Sequence, residues 1–414
     1  MSFRRHPGVA LALLTALNFF NYIDRYVLPA VQPLVQKELH RSDAEMGLLT
    51  SVFFGFYMCV APVMGILADR YPRRILISTG AVLWSGATLL TAVTSDYTSL
   101  LVRHTLVGIG EASFVTIAPA LIADLFPEHR RGRMLAVFYL AIPMGTAMGY
   151  VLGGHLAPIY GWRRPFMVAA IPGFLLAAAL MFIPEPPRGQ SDIIATTPDR
   201  STLIFGILPK TASFWTATLG AAMMTFALGG LSVWMPTFLS RVRGMKLNDA
   251  NILFGEAVLV AGFLATMLGG WLGDHLLRTR RSAYYLVSAV GMAIALPFMV
   301  VALYHQGRLM FPAIFLALFF LLLNTGPLNA AIVNSVSAPI RATAIAVNVF
   351  MIHILGDVPS PPLIGYISDK TGSLPQGFSV AVVAVALSAA ILFFGMRYAP
   401  QVPQQILDGD KATA

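Results

Sequence analysis

Apolar residues do not alternate with polar ones along this chain; they run in long blocks separated by short polar clusters. Twelve blocks of roughly 20 or more mostly apolar residues can be delimited. They fall at 8–36, 45–68, 74–94, 97–124, 133–158, 163–183, 212–240, 248–273, 282–304, 309–337, 342–367 and 376–398. Each is long enough to cross a hydrocarbon layer as a helix. Backbone groups in lipid must be satisfied internally, and blocks this long and uniform do not suit barrel strands. The expected fold is therefore all-α integral membrane, with twelve transmembrane helices. The opening "MSFRRHPGVALALLTALNFF" is basic and then apolar, like a signal peptide. Its apolar run continues past a signal's short core without a small-residue cleavage site, so it reads as a retained first span.

The only long interior connection covers 184–211 and is rich in Pro, Ser, Thr and charge. It reads as a cytoplasmic linker between residues 1–183 and 212–414, six spans each. The two halves echo one another. Asp69 after span 2 and Asp274 after span 8 are 205 residues apart, and Pro29 and Pro236 are 207 apart. A six-span repeat predicts two pseudo-symmetric bundles of a secondary transporter, with substrate held between them near mid-membrane.

Composition agrees: 57% of the 414 residues are hydrophobic and 11% charged, against about a quarter charged in soluble chains. One cysteine, Cys59, excludes an intrachain disulfide framework. The net charge of +9 is mostly a topology signal. With the N-terminus inside, seventeen Lys and Arg residues fall on the inner side and nine on the outer. Both termini are expected in the cytoplasm. No recognition module accompanies the charge, so nucleic acid is not an expected partner. No nucleophile–base set, metal cluster or phosphate loop suggests an enzyme or a cofactor.

Candidate chemistry lies in the few charges inside spans, which cost free energy and so tend to face a polar interior. Span 1 carries Asp24 and Arg25, span 4 Arg103 and Glu111, and span 11 His353 and Asp357. Asp24, Arg25 and Glu111 fall at one level when helical rise is counted. Asp24 suits a carboxylate that cycles between protonated and ionised forms, and Arg25 suits holding Glu111 or a substrate anion. Arg103 is placed near the outer end, within reach of span 1. His353 and Asp357 share a helix face, as a gating pair or a substrate contact. Gly145, Gly149 and Gly153 predict close helix packing. Aromatics at the same level, among them Tyr22, Tyr26, Phe114 and Trp234, are expected to line an apolar cavity for an amphipathic substrate.

Two further patterns carry a resemblance. "GILADRYPRR" (65–74) resembles the loop motif of the major facilitator superfamily, with Pro72 where that family has glycine. The resemblance implies a cytoplasmic latch of Asp69 and Arg73, with Asp124 and Arg131 as partners and Asp274 as the second-half counterpart. "NYIDRYVLPAVQPLV", "GIGEASFVTIAPALIADLFPEHRRGRMLAVFYLAIPMGTAMGY" and "HILGDVPSPPLIGYISD" resemble its Spinster branch. That implies a proton-linked carrier of lysophospholipids or sphingosine phosphates, and a carrier of this shape needs no second copy to form its site, so a monomer is expected. Asp24 would be the proton site, and Arg25, Glu111 and Arg103 the polar end of the cavity. The short termini and missing glycosylation sites point to a bacterial plasma membrane. A carrier of small organic anions, sugars or drugs, or a non-transporting receptor or scaffold, stays open beside this reading.

Overall fold

The computed structural model describes residues 7–126, 128–183, 208–336 and 340–399; the linker expected at 184–211 lies almost entirely outside them. The described residues are nearly all helical. The spans are α1 (Pro7–Leu39), α2 (Asp43–Arg70), α3 (Arg73–Thr91), α4 (Tyr97–Leu125), α5 (Glu128–Tyr160) and α6 (Arg164–Leu180). They continue as α7 (Ala212–Val242), α8 (Leu247–Leu277), α9 (Ala283–Tyr304), α10 (Met310–Asn334), α11 (Thr343–Thr371) and α12 (Ser379–Gly395). Ten of the described helices are long and apolar enough to cross a membrane. The other two are α6, a 17-residue apolar helix, and α1, whose 33 residues include Asn18, Asn21, Asp24 and Arg25.

Three irregularities were not visible as breaks in hydropathy. A π-helical turn, Phe238–Val242, ends α7. A second, His353–Asp357, interrupts α11. α10 breaks at Leu323–Asn324, because Pro327 has no N–H and its ring excludes the carbonyl of Leu323, four residues back. Such turns leave the apolar run intact and change only which face a side chain takes.

Two compact units emerge from the packing. The first comprises 1–195, 232–259 and 361–377; the second 196–231, 260–360 and 378–414. In the first, α1 lies along α5, α4 packs on α2 and α3, and α6 on α3. The α1–α5 contact is close because a Cβ on Gly149 would sit 2.8 Å from the carbonyl oxygen of Ile23, and one on Gly145 would meet Phe19 and Tyr22. The unit's core gathers Phe53, Trp84, Phe114 and Phe138. In the second unit, α9 packs on α10 and α12.

Around the Leu39 end of α1, the distal end, polar side chains replace apolar packing. Trp162 and Arg163 both donate to Glu38 at 2.7 Å. Arg163 also donates to the Thr94 carbonyl at 2.9 and 2.5 Å. The hydrogen bond from Arg163 holds the Glu38 carboxyl below its ordinary value of 4.5. At its start, α2 carries a capping box in which Ser42 and Glu45 serve each other's backbone N–H groups.

Candidate functional site

α1 and α4 bring the predicted mid-span charges together. Arg25 donates to Glu111 Oε2 through Nη2 at 2.5 Å and Nε at 3.1 Å. Glu111 is fully buried and the Arg25 side chain 12% exposed. Four aromatic rings surround the guanidinium: Tyr22 at 4.8 Å, Phe53 at 5.1 Å, and Phe54 and Tyr57 at 5.6 Å. A guanidinium is well suited to this setting, because its planar face accepts aromatic neighbours while its edge serves a carboxylate. Phe53, Phe54 and Tyr57 were legible only as part of a general aromatic density. The i,i+4 spacing of Phe53 and Tyr57, which stack at 6.2 Å, is the signal that one face of α2 forms a wall.

Asp24 points elsewhere. Adjacent positions on a helix differ by about 100°, and Asp24 does not share Arg25's partner. It is buried, and neither carboxyl oxygen has a hydrogen-bond partner among the described residues. The site thus holds an ion pair, in which only Oε2 of Glu111 is served, beside a carboxyl group with no partner among the described residues.

The other expected cavity residues divide. Tyr22 and Tyr26 are half-buried and stack at 6.4 Å, with Tyr26 also against Tyr150 at 5.3 Å. Phe114 is fully buried between Trp84 and Phe138, a core residue and no cavity wall. Three positions beyond Glu111 on α4, it is turned by about 60°, enough to face α3 and α5. Trp234 is likewise fully buried, its indole N–H donating to the Pro361 carbonyl at 2.9 Å. Arg103 does not join Asp24. It donates to Thr94 Oγ1 and the Leu90 carbonyl at the end of α3. Its Cα precedes Glu111 by eight residues, about 12 Å along α4. In the second unit, His353 Nδ1 and Asp357 Oδ2 lie 2.5 Å apart within the π-helical turn.

At the start of α3, Arg73 is buried in an ion pair with Asp124 of α4. Arg74 donates to the Ile183 carbonyl at 3.1 Å. Asp69 is exposed, the Arg131 side chain lies outside the described residues, and Asp274 accepts from Tyr284 at 2.8 Å.

A second polar constellation, at the distal end, had no counterpart in the sequence reading. Asp43 accepts from both terminal nitrogens of Arg241 on α7, at 2.7 and 2.6 Å. It also accepts from Gln36 and from Ser368 of α11, each at 2.5 Å. Asp369 accepts the first α2 amides, those of Asp43 at 2.9 Å and Ala44 at 2.8 Å. One carboxylate therefore caps α2 from another helix, and the other binds three helices at once. The sequence around Asp43 signals only an ordinary helix start.

Comparison with known proteins places this architecture. A family model described as Major Facilitator Superfamily matches residues 14–356. The chain is 35% identical to protein spinster homolog 1 of Xenopus tropicalis, over 88% of this chain and 74% of that protein. It is 34% identical to the sphingosine-1-phosphate transporter of Danio rerio, over 99% of this chain and 86% of that one. Among solved structures, a bacterial homologue of the human lysosomal transporter Spinster, inward-facing and occupied, superposes with a TM-score of 0.84. It shares 25% identity and covers 95% of this chain and 98% of that one. A D-xylose–proton symporter at 17% identity and TM-score 0.75 shares the fold. The chain belongs to the major facilitator superfamily, within its Spinster branch, and is a multi-pass membrane transporter.

Proposed function

We propose that this protein is a proton-coupled carrier of an amphipathic anion or zwitterion, such as a lysophospholipid or a sphingosine phosphate, working by alternating access. The observation that carries the reading is the buried, unpartnered Asp24 beside the Arg25–Glu111 pair. Arg25 already serves Glu111, and no cation is paired with Asp24 among the described residues. An ionised Asp24 would be a buried charge without a partner, which costs several kcal/mol; a protonated one would not. Moving Asp24 between this setting and water is then linked to uptake and release of a proton. Arg25 is the group for a phosphate or carboxylate, because its charge persists at any physiological pH and its fork matches such anions. The partly exposed rings of Tyr22 and Phe54 supply apolar area beside that charge, and the buried Phe53 and Tyr57 complete the shell around the guanidinium. The sphingosine-1-phosphate transporter among the relatives supports the substrate class.

The test is uptake into proteoliposomes under an imposed pH gradient, offering lysophospholipids, sphingosine phosphate and small polar metabolites. Gradient-dependent uptake of the amphiphiles, not displaced by the metabolites, is expected. Uptake confined to sugars or small organic acids would contradict the substrate assignment.

A further inference from the structure

A groove of about 450 Å³ opens at the distal end between α1 and the α7–α8 connection. That is within the size range of small-molecule sites. Its lining has two characters. Pro33, Leu34 and Leu247 make an apolar wall, and Gln36, Lys37, Ser240 and Arg241 a polar rim. The rim lies where the apolar run of α1 ends, the level at which headgroups are expected to meet a span.

The charge around the groove is not balanced. Residues 36–45 and 240–249 contribute Lys37, Arg41, Arg241, Arg243 and Lys246, against Glu38, Asp43, Glu45 and Asp249. Three of those acids are already committed, Glu45 to Arg41 at 3.1 Å. Glu38 accepts from Trp162 and Arg163 on another side of α1. Asp43 is buried and taken by Gln36, Arg241 and Ser368. Lys37 is exposed, and no acid is paired with it among the described residues. Topology does not account for this cluster, because basic residues favour the opposite side, where the Arg-rich loops after α2 and α4 lie.

We infer that this groove binds an anionic glycerophospholipid of the surrounding bilayer, phosphate at the rim and acyl chain along the wall. The phosphate would lie against Lys37 and the outward face of Arg241. Asp43 takes two of the five N–H donors of that guanidinium, leaving others for a second anion. Basic pockets between transmembrane helices recognise lipid headgroups on this principle, each cation near the surface contributing about fivefold in affinity. The wall of Pro33, Leu34 and Leu247 distinguishes a lipid from a free phosphate ion, which would gain nothing from it. The groove shares Gln36 and Arg241 with the Asp43 constellation, so an occupant engages the guanidinium that ties α2 to α7.

Native mass spectrometry of the detergent-purified full chain tests this. The probes are phosphatidylglycerol, phosphatidylcholine of the same acyl chains, and inorganic phosphate. One phosphatidylglycerol should be retained in preference to phosphatidylcholine. Lys37→Gln should weaken it about fivefold and Lys37→Glu further, while Lys210→Gln leaves it unchanged. Lys37 is exposed, so its variants leave the fold intact. Equal retention of the two lipids, indifference to both Lys37 variants, or phosphate alone displacing the lipid would overturn the assignment. None of these outcomes depends on proton-coupled transport.

Discussion

The Arg25–Glu111 pair can be tested by removing first one charge and then both. Arg25→Gln strands a fully buried carboxylate, and loss of one partner from a buried pair costs about 3–5 kcal/mol. Removing both charges, as Arg25→Gln with Glu111→Gln, should recover most of that stability while abolishing substrate binding. Thermal denaturation in detergent reads the first effect and a ligand-binding titration the second; a double variant no more stable than Arg25→Gln would contradict the pairing. Phe114 gives the complementary case. Phe114→Ala should cost about 3–5 kcal/mol as a core cavity, without a selective change in substrate affinity. Phe54→Ala, beside the guanidinium, should weaken binding more than it weakens the fold. At this scale the sequence was most informative about charge. Asp24, Arg25 and Glu111 stood out because acids and bases are rare in apolar spans. The directions of Phe114, Trp234 and Arg103 were not legible, because hydropathy in a transmembrane helix does not say which neighbour a face meets.

Between elements, the carboxylates of Asp43 and Asp369 hold the start of α2 against α7 and α11. Asp43→Asn removes the charge that binds Arg241, and Asp369→Asn weakens the cap on the α2 amides. Both should shift the population toward conformations in which these ends separate. Spin labels at Arg41→Cys and Thr371→Cys, in a Cys59→Ala background, would report this as longer, broader distances in either variant. An unchanged distribution in both would show that these contacts do not restrain the helices. Glu38 supplies a pH prediction. Its folded-state value lies below its ordinary one, so its contribution is complete above the unfolded value and is lost as pH falls through the folded one. The side chain is about half exposed, so the effect is under about 1 kcal/mol. Thermal stability should fall slightly less for Glu38→Gln than for wild type between about pH 6 and pH 3. Helix number and approximate limits were legible in hydropathy. The π-helical turns of α7 and α11 were not, since one added residue per turn leaves an apolar run unbroken. The Asp43 contacts were hidden because each acid has a local explanation at a helix end.

For the whole molecule, family membership establishes transport, and the proposed coupling rests on one carboxyl group. Proton-driven accumulation requires a group whose environment differs between the two sides of the cycle, and Asp24 is the buried acid in the first unit's polar cluster that no cation holds. The decisive measurement is uptake of a lysophospholipid or sphingosine phosphate into proteoliposomes, with and without an inward or outward pH gradient, for wild type and Asp24→Asn. The account predicts gradient-dependent accumulation by wild type. The variant should fold, bind and exchange substrate but show no response to the gradient. An Asp24→Asn protein whose uptake follows the pH gradient as wild type does would contradict it.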